Sequence, residues 1–231
     1  MNTIPMKAQQ GFEHDALATD KGTAELWFIG HGTLIIKFDN LVIHVDPYSA
    51  VADYGSLPKA DLILITHQHG DHLDLQAIDK IKQANTFIIC NKLSSDKLPG
   101  SYVMQNGDTK EWNHIKIEAV AAYNIKHERA PGKPFHPAGE GNGYVLTLGD
   151  KKVYIAGDTE DIPEMTKLKD IDVAFLPMNL PYTMTPEMVA SAIKMFNPKV
   201  VYPYHYGDTD ASLLISLVDS SKTEIRIRNL R

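Results

Sequence analysis

The chain has 231 residues, 43% of them hydrophobic and 23% charged, with a formal net charge of -6. That is the size and composition of one ordinary globular α/β domain with a sizeable core, and no long Lys/Arg run offers the basic stripe that a nucleic-acid backbone demands. The lone Cys90, inside the apolar stretch TFIIC, excludes an intramolecular disulfide and a cysteine-rich zinc module. No apolar stretch approaches the ~20 residues of a membrane-spanning helix. Residues 1–23 show neither a charged n-region nor an apolar h-region, so no signal peptide is expected and the expected location is cytoplasmic. The same residues are expected to be a loosely ordered N-terminal segment.

Apolar runs and alternations predict strands at 24–30 (AELWFIG), 34–38 (LIIKF) and 41–46 (LVIHVD), the last two joined by an Asp39-Asn40 turn. DLILIT (61–66) reads as a buried strand, and Leu75, Ile78 and Ile81 at spacings of three predict a helix over 73–83. Strands follow at 86–90, in SYVMQ, and at 115–123, with Trp112 in the tip before the last. GYVLTL and KVYIAG form a hairpin across Gly149-Asp150. Past Asp158 the pattern alternates: a short helix in IPEMTKLK, a strand in IDVAFLP, then a helix in TPEMVASAIKMF. Thr185 is the N-cap of that helix, with Pro186 at its first position and Glu187 in its first turn. A strand in PKVVYPYH, a helix in DASLLISLVDS and a closing strand in EIRIRNL complete the chain. A strand-rich half leading into alternating helices and strands fits two mixed sheets packed together with helices outside, in one domain over 1–231. The loop 124–142 is long enough to be either functional or disordered.

The chemistry concentrates in THQHGDH (66–72), which places three of the ten histidines beside an aspartate at the end of a strand. Alternate residues His67 and His69 can face one point while Asp71 and His72 face its neighbour, with Gly70 permitting the bend. That supplies two adjacent sets of nitrogen and oxygen donors suited to zinc or a similar divalent ion. The blander reading, a solvated loop in which Asp71 caps the next helix, is compatible with metal binding. Asp158, where AGDT breaks a strand at glycine, and His205, at the end of VVYPYH, are further candidates. Either alone reads equally as a turn residue or a satisfied core histidine.

THQHGDH, AGDT and PYHYG, in this order and spacing, resemble the metallo-β-lactamase superfamily, in particular its branch of stand-alone metal-dependent hydrolases. The likeness is to relatives of ascorbate-6-phosphate lactonase and of N-acyl-phosphatidylethanolamine phospholipase D. FIGHGTLII, VDP, FHPAGEGNGY and YTMTPE extend it over about residues 24–207. The resemblance implies a four-layer αββα sandwich with two divalent metal ions at one edge, zinc first, with manganese or iron(II) as alternatives. It implies His67 and His69 at the first ion, Asp71, His72 and His205 at the second, and Asp158 bridging. Most members place a third histidine for the first ion where this chain has Asn124. Either Asn124 ligates through its amide oxygen or a residue of the following loop substitutes; His136 is favoured over His127, which reads as a solvated loop residue. MNLPYTM also departs from the relatives, which often carry a glycine pair there, and this implies a reshaped pocket wall.

The expected function is hydrolysis of a small ester, lactone or phosphodiester by a metal-bound hydroxide, which exists near neutral pH because coordination lowers the pKa of water to about 7. Asp71 would orient that nucleophile. His31, in GHG, would contact substrate or hold a ligand through a hydrogen bond, or is equally a turn histidine, and Asp46 would support a ligand from behind or serve as a buried structural carboxylate. Tyr182 and Tyr206 read equally as pocket residues or as aromatic packing. The alternatives are a metal- or ligand-binding module without turnover and a small nuclease or phosphodiesterase. A redox role is disfavoured because His69 stands where diiron relatives carry glutamate. The expected partner is a small-molecule substrate, with no nucleic acid and no transmembrane segment; a homo-oligomer is open.

Overall fold

The computed structural model describes residues 11–231; residues 1–10 of the expected loose segment lie outside the described residues. The first of two seven-stranded sheets takes its strands in chain order: β1 (His14–Thr19), β2 (Gly22–Gly30), β3 (Thr33–Phe38), β4 (Leu41–Val45), β5 (Leu62–Leu64), β6 (Phe87–Cys90) and β7 (Tyr102–Val103). It is antiparallel through β4 and parallel beyond. The second sheet is built from β8 (Thr109–Trp112), β9 (Ile115–Ala122), β12 (Gly141–Leu148), β13 (Lys151–Ile155), β14 (Val173–Pro177), β15 (Val200–Tyr204) and β16 (Glu224–Ile225). Its order is β16-β15-β14-β13-β12-β9-β8, parallel from β13 to β16. Two strands between β9 and β12, β10 (Glu128–Ala130) and β11 (Lys133–Pro134), pair only with each other.

Strand periodicity builds the layers. In β5, Leu62 and Leu64 enter the core between the sheets, while Ile63 and the following Ile65 turn outward. There they meet Ala77, Ile78 and Ile81 of α1 (Leu75–Ile81). In β14, Val173 and Phe175 join the inter-sheet core, while Ala174 and Leu176 pack with Val189 and Ile193 of α3 (Pro186–Phe196). Each such fully buried Leu, Ile or Phe contributes about 1.5–3 kcal/mol relative to an exposed one. The result is helix, sheet, sheet, helix, as expected. Helix α3 starts as its sequence dictates: Thr185 Oγ1 accepts from Met188 N at 3.2 Å, and Pro186 occupies the first turn, where its missing N–H costs nothing. Two further helices are short, α2 (Lys92–Ser95) and α4 (Leu213–Leu217). No helix among the described residues is long and apolar enough to cross a membrane.

Several elements differ from expectation. His14–Thr19, inside the segment expected to be loose, is strand β1, paired along its length with β2. Its inward anchor is polar: Asp15 accepts from Tyr202 Oη and from Arg228. Trp112 closes strand β8 and stacks on Phe87 at 6.3 Å, and the hairpin tip falls instead at Asn113-His114, both left-handed. Leu75 is 43% exposed, and Ala77 takes its place on the buried face of α1. The segment 163–167 is a 3-10 turn, α4 covers five residues, and the closing strand pairs over only Glu224–Ile225. The loop 124–142 is organised by the β10–β11 ribbon.

Candidate metal centre

Asp46 follows β4, Thr66 and His67 follow β5, and Asp158, Asn179 and His205 follow β13, β14 and β15. All six therefore sit at carboxyl ends of parallel strands, where open α/β sheets present ligand sites. The chain turns sharply there: His31, Asp46 and His205 have left-handed backbones, with φ of 54°, 45° and 47°. Such strain is rare for residues other than glycine and costs on the order of 1–3 kcal/mol each. Packing leaves no spare room around them. A Cβ on Gly32 would come within 3.0 Å of His72 Cε1, and one on Gly157, at φ +66°, within 2.9 Å of Asn142 O.

Two clusters form, sharing one carboxylate. In the first, His69 Nδ1 lies 3.0 Å from His67 Nε2 and 3.2 Å from His136 Nε2. Asp158 Oδ2 is 3.2 Å from His136 Nε2 and 3.9 Å from His67 Nε2. In the second, His72 Nε2 and His205 Nε2 lie 3.7 and 3.5 Å from Asp71 Oδ2, and each is within 3.7 Å of an Asp158 oxygen. His31 Nε2 joins this group, 3.0 Å from Asp71 Oδ2.

The donors fit divalent ions. His67 Nδ1 lies 3.0 Å from Thr66 Oγ1, which donates to Asp46 Oδ2, and His136 Nδ1 lies 2.7 Å from Asn124 Oδ1. Those contacts take the Nδ1 protons, so both Nε2 atoms present lone pairs to the cluster. A tetrahedral ion with bonds of about 2.0–2.1 Å spaces its nitrogens about 3.4 Å apart, close to the separations seen. In the second cluster, His72 Nε2, His205 Nε2 and Asp158 Oδ1 are buried with no hydrogen-bond partner. Three such atoms facing one another are expensive unless a cation satisfies them.

The electrostatics point the same way. Burial, reinforced by His72, pushes His67 well below the ordinary histidine range, and burial with His136 lowers His69, so both stay neutral and able to ligate. Burial opposes ionisation of Asp158, but His205, His72 and His136 outweigh it and hold the carboxyl well below its usual range. Asp71 is likewise held low, its burial outweighed by the His205 and His31 imidazoles beside it. At His72, burial is overcome by Asp158, Asp46 and Asp71, which raise it to about 10: the acids around its ring favour a cation there, whether a proton or a metal ion. Asp46 is the hub behind the site: it takes Thr66 N at 2.8 Å on one oxygen and Thr66 Oγ1 and His72 Nδ1 on the other.

All seven expected metal-site residues, His67, His69, Asp71, His72, His136, Asp158 and His205, thus converge, and His31 lies with them. Asn124 does not face the clusters. Its Oδ1 accepts from both His136 N and His136 Nδ1, and its Nδ2 donates to Glu160 Oε1 and Tyr182 O. His127 is not a free loop residue; its Nδ1 lies 2.8 Å from buried Glu160. Glu160, which also accepts from the backbone of Ile125, Lys126 and His127, carries no sequence signal beyond its place in AGDTE. Tyr206 turns away from the site and donates to Arg228 O at 2.8 Å.

A cavity of about 550 Å³ opens over the clusters, walled by Arg129, Phe135, Asn179 and Tyr182. Asn179 also sits behind His205, its side-chain amide 3.3 Å from Nδ1. Arg129 carries no sequence signal, whereas Asn179 lies in MNLPYTM, the stretch expected to reshape the pocket wall. A second cavity of similar volume, beside Val120, Val145 and Ile171 on the outer face of the second sheet, has no histidine in its walls and no donor cluster.

The sequence model of the beta-lactamase superfamily domain matches residues 25–205. A crystal structure from Parabacteroides distasonis, described as a metal-dependent hydrolase, is 50% identical, with a TM-score of 0.92 over 96% of this chain and 100% of that one. A Thermococcus onnurineus protein named metal-dependent hydrolase is 33% identical over 193 residues, 78% of this chain and 83% of its own. A metallo hydrolase structure from Ignicoccus hospitalis shares the fold at 24% identity, with a TM-score of 0.72 over 90% of this chain and 95% of that one.

Proposed function

Since the chain belongs to the metallo-β-lactamase superfamily, in its branch of stand-alone metal-dependent hydrolases, we propose that it is a binuclear metal-dependent hydrolase of a small ester, lactone or phosphodiester. The observation that carries this reading is the pair of donor clusters meeting at Asp158. His67, His69 and His136 would hold one divalent ion, Asp71, His72 and His205 the other, with Asp158 between them. Zinc suits the nitrogen-rich donor set, and manganese or iron(II) are the alternatives. When bound, such ions supply Lewis acidity and a water acidic enough to ionise near neutral pH.

The chain supplies the rest. Asp71 Oδ2 orients the attacking water, but a carboxylate held so far below its usual range is a poor resting place for a proton. His31 Nε2, on a side chain 19% exposed, donates to that oxygen at 3.0 Å and keeps the carboxylate ionised and aimed. Asn124 fixes the ring of His136 from behind, and Asn179 packs against that of His205. Arg129 of β10, Phe135 and Tyr182 wall the cavity in which the substrate would sit.

The test is a screen of aryl esters, lactones and phosphodiesters with metal-replete protein, beside Asp71→Asn. Turnover that falls at least 100-fold in the variant supports the reading. No turnover of any class by protein carrying two ions would favour a binding module instead.

A further inference from the structure

We infer that the substrate carries a free oxyanion group, a carboxylate or phosphate outside the bond that is cleaved, which pairs with Arg129 at the mouth of the cavity. This rests on the hydrolase reading only for the word substrate; the binding site itself does not depend on turnover. The first observation is a contrast among arginines. Of the four in the chain, Arg226, Arg228 and Arg231 are each ion-paired with Asp or Glu. Arg129, on β10, makes one hydrogen bond, from Nη2 to Phe135 O at 2.8 Å, and among the described residues no ion pair. It is nonetheless a wall of the same cavity as the metal clusters.

The second observation is that the cavity has no carboxylate to spare. Its two acids, Asp71 and Asp158, are turned into the imidazoles. The guanidinium therefore keeps free N–H donors in a fork that matches a carboxylate or phosphate. Third, Arg129 is held in place. The Nη2 bond fixes one end and the guanidinium lies 5.7 Å from the centre of the Phe135 ring. Phe135 in turn meets Tyr182 edge-on at 5.0 Å, and Tyr182 is 44% exposed, an aromatic face left open beside the cavity. The cavity wall thus offers an exposed cation, tethered at one end, next to an apolar surface. A ligand with an anionic end and a flat or apolar body matches both, with its reacting group over the histidines.

The probes are three non-ester anilides that differ at one end: valeranilide (neutral), glutaranilic acid (carboxylate) and (4-anilino-4-oxobutyl)phosphonic acid. Their binding to the zinc-loaded full chain is measured by calorimetry, in native protein, Arg129→Gln and Arg129→Lys. The expected result is at least tenfold tighter binding of one or both anionic probes over valeranilide, lost in Arg129→Gln and partly kept in Arg129→Lys; the better anion names the group. An equal affinity for all three probes in the native chain overturns the inference. So does an anion preference that survives in Arg129→Gln, which would assign the anion to the metals alone. Because no probe needs to be cleaved, failure of the hydrolase screen and failure of this inference are separate results.

Discussion

Asn124 Oδ1 accepts two hydrogen bonds from His136, from the backbone N at 2.8 Å and from the ring Nδ1 at 2.7 Å. Asn124, standing where the resemblance implies a histidine, thus aims a histidine twelve residues on. Its own amide is held by Glu160, whose carboxylate also gathers the backbone of the following turn. Chemistry placed on one residue elsewhere is here divided between a ring and the amide behind it.

Asn124→Ala should therefore leave the cluster's atoms present but poorly aimed. Loss of such a supporting hydrogen bond typically lowers metal affinity about 10–100-fold. Chelator competition with zinc should show that loss for one of two ions. Unchanged affinity for both would mean His136 needs no support.

Asp46 should matter to stability as much as to the site. It is fully buried and ties Thr66, and through it His67, to His72. Asp46→Asn turns an acceptor into a donor opposite His72 Nδ1 and leaves that raised imidazole without its carboxylate. Breaking a buried pair this way costs about 3–5 kcal/mol, read as a lower urea midpoint of the metal-free protein. A midpoint equal to the native one would refute the hub role.

His44 gives a pH signature away from the metals. Its Nε2 donates to Pro58 O at 3.0 Å and its Nδ1 is buried without a partner, and burial lowers its pKa to about 4. Above the unfolded value of about 6.5 both states are neutral and the group adds no pH dependence. As pH falls from there to about 4, only the unfolded chain takes up the proton, and stability drops by about 3 kcal/mol in total. His44→Gln should flatten that part of the stability–pH curve. An unaltered slope would place the titration elsewhere.

The fold and most of the site were legible because both rest on local pattern. The continuous apolar runs LIIKF and DLILIT mark strands buried on two faces, and THQHGDH puts its donors on one turn. What escaped depends on pairings that hydropathy does not encode. HDALAT (14–19) has little β propensity and a half-exposed pattern, and it is a strand through its ladder to β2 and the bonds of Asp15 to Tyr202 and Arg228. Leu75 and Ala77 differ in hydrophobicity in the wrong direction for their positions, because the face of α1 is set by how the preceding turn delivers the chain. His136 could be named as a candidate, but not the bond from Asn124 that aims it. Arg129 was invisible because a free arginine in a loop looks like any other until its neighbours are known to be unpaired.

The proposed hydrolase needs two ions bound by two clusters, and elemental analysis of protein purified without chelator tests that most directly. The native chain should carry two equivalents of zinc, manganese or iron, His136→Ala one, and His127→Ala still two. One equivalent or none in the native chain, unaffected by His136→Ala, would contradict the binuclear centre.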